Sequence, residues 1–126
     1  MDLSGYDILI VDDVPINQLI VEKMLSRYKI PVRKASNGVE ALKEIRHKMP
    51  DLVLLDIMMP VMDGFEVLKR LREARETAQL RVVILSALNS NEDIVKGFQL
   101  GAHDFITKPV IMEKLINVVA TQLQLI

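Results

Sequence analysis

The chain has 126 residues, 50% of them hydrophobic and 26% charged, with a net charge of -1 and no cysteine. That is enough for one compact domain that buries roughly two thirds of its unfolded surface, and it excludes a basic nucleic-acid-binding field, a disulfide framework and thiolate chemistry. No apolar stretch reaches the ~18 residues of a membrane span, and Met1-Asp2-Leu3-Ser4-Gly5 lacks the regions of a secretory signal, so the expectation is a single cytoplasmic domain over residues 1–126.

From Tyr6 to Val11 a strand-like run ends in acid, at Asp12 and Asp13. Pro15 suits the first turn of a helix, where its missing N–H is no loss, and Ile16, Leu19, Ile20, Lys23 and Met24 follow at helical spacing. Asp13 also suits an N-cap for that helix, a reading that leaves Asp12 unexplained. Ile30–Ala35 is a weaker strand whose Pro31 argues for an edge position. Asn37, with Glu40 three residues later, matches a capping box ahead of Val39, Ala41, Leu42 and Ile45 on one helical face, and Pro50 and Asp51 end that helix.

The run Leu52-Val53-Leu54-Leu55 then stops at the single carboxylate of Asp56. Continuous apolar runs mark parallel strands covered on both faces, and ligands of open α/β sheets collect at the carboxyl ends of strands, so Asp56 is the first site candidate. The competing reading is a turn residue closing a strand. Pro60, Asp63 and Gly64 form a loop before a helix striped by Phe65, Val67, Leu68 and Leu71. Arg81–Ser86 repeats the pattern of an apolar strand with a polar end. Ser90 to Asp93 matches a capping box for a short helix carrying Ile94, Val95 and Phe98, with Gly101 as its left-handed cap. Asp104–Thr107 is a brief fifth strand reaching Lys108 and Pro109, and Met112, Leu115, Ile116, Val119, Ala120 and Leu123 mark the last helix. His47 reads as solvated on an outer helix face and His103 as solvent-facing at a loop edge.

Five alternations of strand and helix, with connections too long for hairpins, define an α/β domain with a doubly wound parallel sheet. Right-handed crossovers bring every strand's carboxyl end to one edge. Asp12, Asp13, Asp56, Ser86 and Lys108 all fall there. Three converging carboxylates repel one another, which raised pKa values or a bound cation relieve. Oxygen ligands with room for water select Mg²⁺ over Ca²⁺, and the lack of Cys and clustered His counts against zinc. A lysine and a hydroxyl facing the same point complete the equipment for phosphoryl transfer, with cations on the equatorial oxygens and a carboxylate attacking in line. Taken singly, Ser86 suits a turn and Lys108 a solvated surface. Their joint placement argues otherwise.

Asp12-Asp13, Asp56 with Met59-Pro60 and Asp63-Gly64 behind it, Ser86-Ala87, and Lys108-Pro109 resemble the receiver domain of two-component response regulators, over essentially the whole chain. The resemblance implies a flavodoxin-like sheet of order 2-1-3-4-5 with five helices. It implies that Asp56 accepts a phosphoryl group from a phosphohistidine of a sensor histidine kinase or a histidine phosphotransfer protein. Asp13, Asp56 and the backbone carbonyl of Met58 would hold Mg²⁺, Asp12 acting through water. Lys108 would pair with phosphoryl oxygens, and Ser86 and Phe105 would form the switch. It also implies a cis bond before Pro109, no turnover enzyme beyond self-phosphorylation and autodephosphorylation, a downstream effector protein or domain, and a face of helix 4, strand 5 and helix 5 open to homodimers. Direct binding of nucleic acid or membrane is not expected. With no output domain after Ile126, the chain reads as a stand-alone protein or as the receiver of a hybrid kinase or longer regulator; Asn17, four after Asp13, resembles hybrid-kinase receivers. The Leu123, Leu125 and Ile126 tail suits a longer helix or a dimer face.

Three rivals fit less well. A haloacid dehalogenase-class phosphatase needs a second Asp two residues after the nucleophile, where Met58 stands. A flavodoxin-like cofactor binder needs a Ser/Thr/Gly-rich phosphate loop in place of Asp12-Asp13. A degenerate receiver would have lost one of the five site positions. Met58 and Leu88, both apolar, flank the expected route of a hydrolytic water and cannot orient it, which predicts a long-lived phosphoryl group.

Overall fold

Short apolar runs with β-branched and leucine side chains on both faces form the centre of the molecule. In the computed structural model, which describes residues 2–125, these are β1 (Ile8–Val11), β2 (Val32–Ala35), β3 (Leu52–Leu55), β4 (Val82–Ser86) and β5 (Asp104–Thr107). The helices between and after them are α1 (Pro15–Ser26), α2 (Gly38–His47), α3 (Gly64–Glu73), α4 (Asn91–Gln99) and α5 (Met112–Gln122), with one 3-10 turn at Arg75–Thr77. All pairings are parallel, and the strand order is β2-β1-β3-β4-β5, as expected. Val11 lies opposite both Ala35 and Leu55, so β1, β2 and β3 end level; Leu55 lies opposite Ile84, and Ser86 opposite Thr107, so β4 and β5 run two residues further. The order reverses between β1 and β3, the position at which open α/β sheets form their crevice.

Alternate strand residues feed two cores. Leu9, Val11, Val53, Leu55 and Ile84 pack with Ala41, Ile45, Leu68 and Leu71 of α2 and α3 on one face. Ile8, Ile10, Leu52, Leu54 and Val83 pack with Val21, Leu25, Leu115 and Val119 of α1 and α5 on the other. Each such fully buried aliphatic side chain contributes about 1.5–3 kcal/mol. The edge position of β2 and the capping boxes are as read: Asn37 Oδ1 accepts from Glu40 N–H at 2.8 Å, and Ser90 Oγ from Asp93 N–H at 3.1 Å. Gly101, at φ 101°, closes α4, its N–H donating to Phe98 and that of Ala102 to Gly97.

The helical faces differ from the sequence reading in three places. On α1 the buried residues are Gln18, Val21 and Leu25, whereas Ile16 is 56% exposed and Leu19 and Ile20 are half exposed. On α2 and α4, Val39, Val95 and Phe98 are exposed. Apolar spacing correctly located these helices without identifying the side that meets the sheet. The N-cap of α1 is Val14 with no side-chain cap bond, so Asp13 does not cap it. Leu123 is buried and Leu125 packs on the α5 core, so that part of the tail is core; Ile126 lies outside the described residues. Among the described residues no helix is long and apolar enough to cross a membrane.

Polar groups at the amino-terminal edge of the sheet are tied off by side chains. The Arg72 guanidinium, with no carboxylate partner among the described residues, donates to the carbonyls of Thr77, Ala78, Leu80 and Gly101 at 2.7–3.2 Å, and burial lowers its pKa. Arg33 joins Asp7, Glu44 and the Lys48 carbonyl, the last at 2.6 Å. His103 is exposed as read, yet its ring is also structural. Nδ1 accepts the Val82 N–H at 3.2 Å, while the His103 backbone N–H donates to the Val82 carbonyl at 2.8 Å.

Burial, then the charges of Arg72 and Arg81, hold the His103 pKa below its ordinary 6.5. The unfolded chain therefore takes up this proton first, and stability present above the unfolded value is lost as pH falls from about 6.5 toward the folded value. Urea unfolding at pH of about 7.5 and about 5.5 checks this. The unsubstituted chain weakens at the lower pH. His103→Ala, about 1 kcal/mol less stable at the higher pH for want of an acceptor for Val82 N–H, loses that part of the pH dependence.

Candidate functional site

Asp12, Asp56 and Lys108 each stand one residue past a strand end, and Ser86 is the last residue of β4. The parallel register brings them to one edge of the sheet. Asp12 N–H donates to the Ala35 carbonyl and Asp56 N–H to that of Val11, so the parallel ladder continues one step beyond the strands and holds both carboxylates at the crevice. Their side chains are nearly buried, Asp12 at 5% and Asp56 at 6% exposure, with Asp13 beside them half-buried. One carboxylate oxygen from each of Asp12, Asp13 and Asp56 lies within 4.8 Å of the others.

At that separation two ionised carboxylates repel by about 3.5 kcal/mol at an effective dielectric constant near 20. Lys108 Nζ offsets part of this, 2.9 Å from Asp12 Oδ2 and 3.2 Å from Asp56 Oδ2. Burial lowers the Lys108 pKa, but the two carboxylates outweigh it and the net shift is upward, so the ammonium stays charged. Asp56 is shifted upward, first by burial and further by Asp12, against the pull of Lys108 and the Met58 N–H. Three carboxylates and one ammonium leave an excess of two negative charges. An all-oxygen donor set with that excess fits a small divalent cation such as Mg²⁺, which adds the charge the cluster lacks when bound.

Ser86 is fully buried, its Oγ accepting the Leu88 N–H at 3.2 Å, and among the described residues no hydrogen bond joins it to Asp56. The Ser86 carbonyl accepts the Lys108 N–H at 2.9 Å, and the Lys108–Pro109 bond is cis. Phe105 is half-buried against the core beneath α4, where a Cβ on Gly97 would lie 3.3 Å from its ring. Met58 donates its N–H to Asp56 Oδ1 at 3.2 Å, and its side chain is 54% exposed. With Leu88, Ile57, Met59 and Phe65 it lines a cleft of about 510 Å³.

Gln18 was absent from the sequence reading. Its Nε2 donates to the Asp12 carbonyl at 2.7 Å and the Ala35 carbonyl at 3.1 Å, fixing the β1 and β2 ends behind the acidic pair. The available signal was its phase, three before Val21 and seven before Leu25, a polar residue within the buried stripe. Gly64, read from the sequence as a loop residue and as part of the motif behind Asp56, is the first residue of α3. A Cβ there would strike the Asp56 carbonyl and Ile57 Cα, and its N–H donates to the Ile57 carbonyl at 2.9 Å, so only glycine lets α3 start against the chain that carries Asp56.

Residues 8–120 match the response regulator receiver domain. PilH of Pseudomonas aeruginosa is 38% identical over 112 residues, 89% of this chain and 93% of PilH. The response regulator PleD of Caulobacter vibrioides is 40% identical over 103 residues, 82% of this chain, which spans only 23% of PleD. The receiver domain of the sensor histidine kinase PA1611 of Pseudomonas aeruginosa, solved with a magnesium ion coordinated in its active-site cleft, superposes with a TM-score of 0.87 at 25% identity, covering 94% of this chain and 98% of that one. This chain belongs to the response regulator receiver family of two-component signalling.

Gly64→Ala is expected to lose about 1–3 kcal/mol in denaturant unfolding, because backbone must move to admit the methyl group. Gly5→Ala, where a Cβ meets nothing within 4 Å, is the control and should leave the midpoint unchanged.

Proposed function

We propose that Asp56 is the phosphoacceptor of this receiver and that Lys108, Ser86, Asp12, Asp13 and the Met58 carbonyl serve it. The observation that carries this is the Lys108 ammonium shared between Asp12 and Asp56 at 2.9 and 3.2 Å: a cation on buried carboxylates at a sheet edge is placed for an anion arriving at Asp56. The donor is a phosphohistidine of a sensor histidine kinase or a histidine phosphotransfer protein. An Asp56 carboxylate oxygen forms the O–P bond in line as the P–N bond breaks, and the electron pair leaves with the imidazole, neutral once its other ring nitrogen carries a proton. Lys108 follows the charge from the carboxylate to the phosphoryl oxygens. Asp13, Asp56 and the Met58 carbonyl would hold Mg²⁺, with Asp12 acting through water.

Ser86 Oγ, which now accepts the Leu88 N–H, is then the hydroxyl that turns to donate to a phosphoryl oxygen, and Phe105 repacks beneath α4 as Ser86 moves. The output is a population shift of the surface made by α4, β5 and α5, where Val95 and Phe98 are already exposed, toward an effector protein or domain or a second copy. The donor approaches over the face beside the site, where Ile16, Leu19, Ile20 and Ile111 are exposed. This is a stoichiometric switch within one receiver unit over residues 1–126 and not a turnover enzyme; Met58 stands where a phosphatase of the haloacid dehalogenase class carries its acid. A relay fed from ATP places it in the cytoplasm.

Incubation with acetyl phosphate and Mg²⁺ followed by intact mass should add one phosphoryl group, absent in Asp56→Asn and after chelation of Mg²⁺. Lys108→Ala should retain little acceptance. Continued labelling of Asp56→Asn at the same stoichiometry would overturn the assignment.

The cleft next to Asp56, lined by Met58 and Leu88, has Asp63 and Lys96 as its polar side chains among the described residues, the Lys96 ammonium lying 4.5 Å from the Phe65 ring centroid. Neither Met58 nor Leu88 can orient a water by hydrogen bonding, so a slow loss of phosphate is expected. Replacing both by polar residues, Met58→Asn with Leu88→Glu, should shorten the lifetime several-fold in a phosphate-release assay; an unchanged lifetime contradicts this role.

A further inference from the structure

A cleft of about 620 Å³ lies away from Asp56, between the carboxyl-terminal ends of α2 and α3. Helices covering a parallel sheet run against its strands, so this cleft sits toward the edge opposite the phosphoacceptor. Its accessible apolar surface comes from half-buried Leu42 and exposed Ala74 and Met49, lying over Ile45 and Leu71, which the core covers almost completely. Its rim carries Arg46, Lys48, Arg70 and His47 against a single acid, Glu76. These cations are weakly engaged. Arg70 is 3.9 Å from Glu66 in an exposed pair, Lys48 is 3.8 Å from Asp7, and Arg46 has no carboxylate partner among the described residues.

Basic residues in a last helical turn complement the negative helix end, which accounts for part of this charge but not for the apolar hollow beneath it. The walls are held independently of any occupant. Arg33 fixes the end of α2 through the carbonyls of Glu44 and Lys48, at 2.9 and 2.6 Å. Arg72 fixes Thr77 and Ala78, and Thr77 Oγ1 donates to the Leu71 carbonyl at 2.6 Å. A preformed hollow of 300–1,000 Å³, largely apolar with a few converging polar groups, has the form of a small-molecule site.

We propose that this cleft binds a small amphipathic anion, an acyl or aryl body on Leu42, Met49 and Ala74 with a phosphate or carboxylate head on Arg46 and Arg70. Free monomers rather than a membrane surface are the source, because the floor is recessed between two helices. The site is independent of Asp56 and of the reading proposed for it.

The probe is monomeric octyl phosphate, titrated into the full chain and followed by amide chemical shifts. Octyl glucoside supplies the same chain without charge, inorganic phosphate the charge without the chain, and phosphatidylglycerol vesicles the same head class at a surface. Octyl phosphate should saturate at one equivalent with shifts centred on residues 42–49 and 70–77, at least tenfold tighter than octyl glucoside or phosphate. Arg46→Glu with Arg70→Glu, both exposed positions, should weaken it tenfold or more while phosphoryl acceptance from acetyl phosphate stays unchanged. Equal affinity for octyl glucoside, shifts centred elsewhere, no saturation up to millimolar probe, or sedimentation with vesicles without monomer binding would each overturn the proposal.

Discussion

A single ammonium group, Lys108 Nζ, stands between Asp12 and Asp56 and lets two nearly buried carboxylates face each other at the edge of an apolar sheet. The three residues are remote in sequence, so their meeting depends on the parallel register, which ends β1 and β3 together and carries β5 two residues further. Everything else nearby serves that convergence. Gln18 holds the main chain of Asp12, Gly64 lets α3 start against the chain that carries Asp56, and Ser86 anchors the Lys108 backbone. The remaining excess of negative charge makes the site receptive to a divalent cation and, with it, to an anionic phosphoryl group.

The two edges of the sheet are built to opposite specifications. At the carboxyl edge acids converge without enough positive charge of their own, and the resulting stress is what a ligand relieves. At the amino edge Arg33, Arg72 and the His103 ring saturate carbonyls and N–H groups. Buried polar groups left unpaired cost about 1–3 kcal/mol each, so these side chains set the rigidity against which the other edge can respond. The cleft between α2 and α3 inherits its fixed walls from the same contacts.

Much of this was legible in the sequence. The continuous apolar strands, the polar residue at each strand end, both capping boxes and Gly101 led to the sheet, its helices and the five residues at its crevice, because each follows from local pattern plus one chirality rule. What escaped shares a cause. Ile16, Leu19 and Ile20 have helical spacing but face outward, since on a helix apolar on more than one side the spacing does not say which stripe meets the sheet. Gln18 was passed over for the same reason, its polarity hiding its place in the buried stripe. The contacts of Arg72 and His103 connect residues 29 and 21 positions apart, and the cleft exists only once α2 and α3 lie side by side. Periodicity carries no information about such pairings.

The guanidinium of Arg72 binds α3, the 3-10 turn and the Gly101 carbonyl just past α4 into one frame. It does so with neutral dipoles, so added salt has little to screen. One end of α4 is thereby pinned, while its first turn, starting at Ser90, is free of that frame and follows the loop that carries Ser86 and Leu88. A displacement of that first turn would pivot on Gly101 and carry Val95 through a larger arc than Phe98.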